Sequence, residues 1–230
     1  MFLRDIAVYA DEAIVTRFPS GFVGWFHRET CCITELYVSL LWRKVATPDT
    51  AKVNLLFAEQ EDFVPSVRQL INVADAKWFF RFSEYADKGV VGKKKMILDA
   101  LHSALLWIAE EREWDVGALE SCHAEAISRN LTLEGWSKKS WANPSGKYRA
   151  KIGFCFGLRA VDFFVGVFDR RGREAGRKPL GSVVPEMGIT RPILMGAGSW
   201  NSANMFRLRI ADAHFRLPKS WEVDLSELLA

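Results

Sequence analysis

No run approaches the roughly 18 consecutive apolar residues of a membrane-spanning helix. The most hydrophobic stretch, around Leu36 to Trp42, ends in Arg43 and Lys44. Cysteine is scarce: Cys31, Cys32, Cys122 and Cys155 are the whole complement, with no C-x-x-C pair among them. That spacing excludes zinc-ribbon and thioredoxin-type motifs, and a bridge between adjacent Cys31 and Cys32 is strained, so reduced thiols are expected. No H-E-x-x-H and no G-x-S-x-G occurs, which removes the helical zinc-protease site and the nucleophile elbow. The beginning, MFLRDIAVYADE, carries acids early and lacks a long apolar core, unlike a secretory or transit leader. The expected location is therefore the cytoplasm.

The hydrophobic fraction is 49% and the charged fraction 26%, values of a folded globular chain. Nine Trp and sixteen Phe supply a large core or a large binding surface. The net charge is +3, far from the excess of a dedicated nucleic-acid binder.

The chain is organised around residues 93–114, KKKMILDALHSALLWIAEEREW. Ile97, Leu101, Leu105 and Ile108 recur at spacings of three and four, and no Gly or Pro interrupts them, so a helix with one buried side is expected. A second helix is expected over 117–130, after a link short enough for a helical hairpin. Alternation predicts strands over 3–10, 13–18, 22–27, 52–58 and 76–85. Residues 31–45 fit a helix better than a strand, and 66–73 fit a short helix after Pro65. Residues 134–146 read as a loop. Beyond it a meander is expected over 147–156, 161–169 and 174–180. Tyr148, Ala150, Ile152, Phe154 and Phe156 would share one face of its first strand. An extended loop over 181–198 precedes a strand over 204–210 that closes the sheet, with 214–217 continuing it past a bend. Segregated strands and helices predict an α+β fold, with largely antiparallel sheets packed against a central pair of helices. One domain over 1–230 is expected, with a sub-boundary near 131–146.

Candidate chemistry is sparse. Gly89-Val90-Val91-Gly92-Lys93 precedes a helix as a phosphate loop does. It has two residues between its glycines instead of four and no Ser or Thr after the lysine, so a solvated lysine cluster is the better account. His123-Ala124-Glu125 matches half of a zinc-deaminase signature but lacks its P-C-x-x-C half. No metal or cofactor is expected. An enzyme site assembled from His102, His123 and Glu125 remains an alternative. Trp136, Lys138, Lys139, Trp141, Lys147, Tyr148, Arg149 and Lys151 interleave rings and cations as single-strand nucleic-acid binders do. The plainer account places the two Trp over the core and the lysines in water.

Trp, Phe and Arg anchor protein interfaces. The residues expected to bind a partner are Trp25, Trp136, Lys138, Lys139, Trp141, Arg170, Arg171, Arg173 and Trp200. The stretches MILDALHSALLWIAEEREWD, GKYRAKIGFCFG and VDFFVGVFDRRGRE resemble those of small bacterial α+β proteins, a class that is often similar to immunity proteins. The resemblance implies a protein-binding module that occludes a cognate toxin. It implies a protein partner, with a homodimer allowed, and no membrane. Binding to nucleic acid through residues 136–151 is the alternative.

Overall fold

The computed structural model describes the chain except residues 16, 19, 20, 61, 211–216 and 230, and only the backbone at 12 and 15. It is an α+β protein that divides into two compact units, Met1–Leu133 and Glu134–Ala230. Among the described residues no helix is long and apolar enough to cross a membrane.

The first unit runs β1 (Asp5–Ala10), α1 (Glu12–Val15), α2 (Phe22–Leu41), β2 (Lys52–Ala58), β3 (Ser66–Leu70), β4 (Val73–Phe79), α3 (Phe82–Asp87), α4 (Val90–Glu111) and α5 (Val116–Ser128). Its sheet has the order β1-β2-β4-β3. The β1–β2 and β2–β4 pairs are parallel, while β3 runs antiparallel to β4. Parallel pairing follows from connectivity, because a crossing helix (α2) and a reversing strand (β3) restore the strand direction each time. Ile6, Val8, Val53, Leu55, Phe57, Ala74 and Ala76 are buried. Asp5, Tyr9, Lys52, Asn54, Asp75 and Lys77 alternate with them and stay partly or fully exposed.

Helix α4 spans nearly the expected residues and buries Ile97, Leu98, Leu101, Ala104, Leu105, Ile108 and Ala109. Helix α5 follows, capped by the Asp115 carboxylate, which accepts from Ala118 N at 3.2 Å. A third long helix stands with them. The sequence pattern of 22–27 suggests a strand, yet Phe22–Leu41 is one continuous helix. Phe26, Thr30, Ile33, Tyr37 and Leu40 are buried at spacings of three and four. The aromatic and β-branched start mimics a strand, but tertiary burial follows the helical period and overrides that local preference.

Three further expectations give way. Where a strand is expected from residue 13, Glu12–Val15 form one helical turn, and the Asp11 carboxylate accepts from Ala13 N at 3.0 Å. Residues 66–70 are an edge strand, because their backbone completes a hairpin with β4. Phe80 and Phe82 leave the expected 76–85 strand, and both enter a cluster with Phe26 and Tyr85. Their alternation continues across the strand end by coincidence of spacing.

The lysines at the start of α4 are used structurally. Lys93 Nζ lies 3.2 Å from Glu29 Oε2, with the Glu29 side chain buried and that of Lys93 nearly so. The Tyr85 hydroxyl donates to the same carboxylate oxygen at 2.5 Å, and Lys93 Nζ sits 4.6 Å above the Tyr85 ring. Lys94 Nζ donates to Leu131 O, and Lys95 pairs with Asp99.

The second unit holds β5 (Leu133–Trp136), β6 (Trp141–Ala142), β7 (Tyr148–Phe156), β8 (Val161–Asp169), β9 (Glu174–Val183), α6 (Thr190–Leu194), β10 (Ala197–Trp200), β11 (Met205–Arg209), β12 (Ser220–Asp224) and α7 (Ser226–Leu229). The meander forms as expected and is joined by β5 and β6 beside β7. One face of it is core: Ala150, Ile152, Phe154, Phe156, Val161, Phe163, Val165 and Val167 are buried. The strand expected over 204–210 does not close this sheet. It is the middle of a separate antiparallel sheet, β10-β11-β12, whose first strand begins at the end of the expected 181–198 loop and whose last, Ser220–Asp224, lies where no strand is expected. Short strands flanked by Gly, Ser and Asn carry too little periodicity to declare themselves. The expected continuation over 214–217 lies, except for Leu217, outside the described residues.

Removing one partner of a buried ion pair strands the other charge, at a cost of about 3–5 kcal/mol, whereas an apolar replacement of both is close to neutral. Glu29→Ala is therefore expected to lower the unfolding free energy by that amount. The double change Glu29→Leu with Lys93→Met is expected to recover most of it. Urea denaturation of the three proteins checks this.

Candidate functional site

Three of the residues expected to bind a partner come together. Trp136 ends β5, and Ser137 behind it is buried. Ser137 Oγ accepts from Ile152 N at 3.0 Å and donates to Lys139 O at 2.8 Å. These bonds pin the loop and turn Lys138 and Lys139 toward α6. That helix is anchored by fully buried Ile193 and offers Thr190, Arg191, Leu194 and Met195 as the opposite wall. The result is a groove of about 450 Å³ lined by both segments. Lys139 Nζ reaches across it to Met195 O at 3.1 Å. Met195 is 54% exposed. An apolar floor with Lys138, Lys139 and Arg191 at the rim suits an apolar side chain flanked by carboxylates.

The Trp136 ring is held from below. It meets Phe164 and Phe168 edge-on, each at 5.1 Å between centroids. Between those two residues in β8 is Gly166, where a Cβ would fall 2.5 Å from the indole. The Arg177 guanidinium covers the indole from the side at 5.4 Å.

The other expected residues lie elsewhere. Trp200 Nε1 donates to Trp141 O at 3.1 Å, and both rings pack on Phe206. This pair supports the second sheet. Arg170 and Arg173 close the β8–β9 turn: Arg170 Nε donates to Gly146 O, and Arg173 pairs with Asp169 at 2.9 Å. Backbone N–H donation from Arg173 and Arg171, with the Arg173 side chain, holds the Asp169 carboxyl below its usual range. Arg171 is exposed in the same turn. Trp25 belongs to the first unit, 48% exposed, with Arg28 5.3 Å above its ring. Sequence reasoning misses Arg191, Leu194 and Met195 because 181–198 is rich in Gly and Pro. The available signal is Pro192 in the first turn of α6, a position where proline favours a helix start.

The histidines of the enzyme alternative form a structural network in the first unit. His102 and His123 stack at 4.2 Å and 14°. The Tyr37 hydroxyl is 3.1 Å from Leu119 O, which only accepts, so Tyr37 donates there and His102 Nδ1–H donates to Tyr37 Oη at 2.8 Å. His123 Nε2 lies 3.4 Å from Asp99 Oδ1. Burial, and then the neighbouring His123, push His102 down to about 4, against the pull of Asp99. Glu125 instead pairs with Arg129 at 2.8 Å, so the H-x-E residues do not converge. Burial pushes Cys32 up to about 12 and raises Cys122 as well, leaving both thiols protonated. Among the described residues no group of three or more His, Cys, Asp or Glu is arranged to hold a metal ion. No protein-family model, curated protein or solved structure matches the chain.

Two outcomes follow from these geometries. Gly166→Ala is expected to expel the Trp136 indole at a cost of about 1–3 kcal/mol; quenching of tryptophan fluorescence, compared with Trp136→Phe, reads it. His102 is held at about 4 from an ordinary 6.5, so between those values the unfolded chain binds a proton that the folded chain does not. Its contribution is complete above pH 6.5 and is lost as pH falls toward 4. The urea midpoint should drop across that window, and His102→Gln should flatten the drop.

Proposed function

We propose that the chain is a protein-binding module of the immunity type, engaging its partner at the groove between Trp136–Lys139 and α6. The observation that carries the reading is the convergence of Trp136, Lys138 and Lys139 on one apolar groove with a cationic rim. Charge partition supports it. Residues 134–230 contain 16 Lys and Arg against 9 Asp and Glu, a net +7, while residues 1–133 contain 15 against 19, a net −4. The partner surface is then acidic around an apolar anchor, and charge steers the encounter while the anchor sets the lifetime of the complex. On the immunity reading the partner is a toxin whose active site is covered by the bound module.

The test is affinity capture of the tagged chain with its neighbouring genes expressed, followed by titration of the captured protein against groove variants. A stoichiometric partner is expected to lose roughly 30-fold or more in affinity on Trp136→Ala or Met195→Glu, the scale of a buried interface anchor. Arg191→Glu is expected to slow association, and Trp25→Ala to change nothing. A partner whose affinity is indifferent to both groove anchors overturns the assignment.

A further inference from the structure

The second unit has a built surface besides its groove. On the face of the five-stranded sheet away from the core, β7 presents Arg149 and Lys151, β8 presents Phe164 and Phe168, and β9 presents Arg177. The rings are half-buried where the opposite face of the same strands is fully buried. Each ring is already matched with a cation. Arg177 lies 4.8 Å above Phe164, and Lys151 Nζ lies 5.4 Å above Phe168. Gly153 and Gly166 carry no side chain between the rings, and a Cβ at Gly153 would fall 2.2 Å from Phe164. The rings therefore lie low on the sheet: Phe164 crosses Gly153, the Trp136 indole fills the space over Gly166, and Arg177 and Lys151 form the outer layer.

We infer that this face binds single-stranded nucleic acid. Bases stack on aromatic rings and guanidinium planes, and Lys and Arg beside them take the phosphates. The face supplies both in one row, on a unit whose net charge is +7. A duplex hides its base faces, and an open sheet offers no protruding helix for a major groove, so the single strand is the form that fits. Two carboxylates near the face are engaged: Glu174 holds Arg177 through two bonds of 2.8 and 3.1 Å, and Asp162 accepts from Ser182, while exposed Glu134 on β5 also acts on the Arg177 charge. The Arg177 fork is thereby held over the Phe164 ring. The surface differs from the groove and shares only Trp136 with it, so the two readings stand or fall separately.

Fluorescence anisotropy of the full chain with labelled oligo-U and oligo-dT of roughly 16 nucleotides, beside a duplex of equal length, tests the assignment. The single strands are expected to bind at least 10-fold more tightly than the duplex, with affinity falling steeply between about 50 and 200 mM salt. Phe164→Ala and Phe168→Ala are each expected to weaken binding by about 5- to 100-fold. If either ring variant disturbs the fold by circular dichroism, the double variant Arg149→Gln with Lys151→Gln replaces it. That pair is expected to weaken binding and reduce the salt slope by roughly 1.4, about 0.7 for each lost phosphate contact. Met195→Ala, in the groove, is expected to leave binding unchanged. Three results overturn the inference: no binding at low salt, equal affinity for duplex and single strand with no loss in the surface variants, or displacement by poly-glutamate as readily as by poly-U. The last would assign the face to an acidic protein.

Discussion

The carboxylate of Glu29 is buried in the second turn of α2, and much of the first unit is arranged around making that tolerable. Desolvating a carboxylate and an ammonium costs several kcal/mol each, which a close contact repays only if the remaining polar groups are also satisfied. Here Lys93 comes from α4 at 3.2 Å and the Tyr85 hydroxyl from α3 at 2.5 Å. The Tyr85 ring then lies under the ammonium as a further electrostatic partner. Three helices are thereby held in one relative position. Because Tyr85 must aim its hydroxyl inward, its ring is brought 5.2 Å from Phe26 and 5.5 Å from Phe80. The aromatic cluster is thus oriented by a polar contact.

A second polar contact performs a similar service farther along α2 and α4. Tyr37 of α2 joins Leu119 of α5 and His102 of α4 through one hydroxyl. Burial raises the Tyr37 hydroxyl and lowers His102, so both stay neutral at physiological pH and neither strands a charge. The histidines that look most like catalytic residues in the sequence are consumed in holding helices together.

The second unit solves a different problem. Its meander must bury one face while carrying large rings on the other. Small residues in register with large ones make this possible: Trp136 lies over Gly166, and Phe164 crosses Gly153. The interlocked rings shield the sheet, while Arg177 and Lys151 remain on their outer side. With the acidic residues concentrated in the first unit, the modest net charge of the whole chain conceals a basic second unit of net +7.

Regular periodicity over many residues determined α4, α5, β2 and the β7–β8–β9 meander from the sequence alone, because each buries a face whose spacing is written locally. The α+β class follows from those elements. What tertiary structure decided were the elements whose partners lie far away. Phe22–Leu41 is a helix because its Phe26, Ile33 and Tyr37 side must meet α3, α4 and α5. Ser66–Leu70 is a strand because β4 offers it a ladder. The pairing of β1 with β2 and of β2 with β4 is parallel because connections reverse the chain, which no local pattern records. The groove belongs to this second kind. Its Trp136, Lys138 and Lys139 wall was visible as interleaved rings and cations, but Arg191, Leu194 and Met195 sit some fifty residues on, in a stretch without periodicity, and meet that wall only through folding. Local spacing encodes which face of an element is buried; it carries no information on which distant segment will cover or complete it.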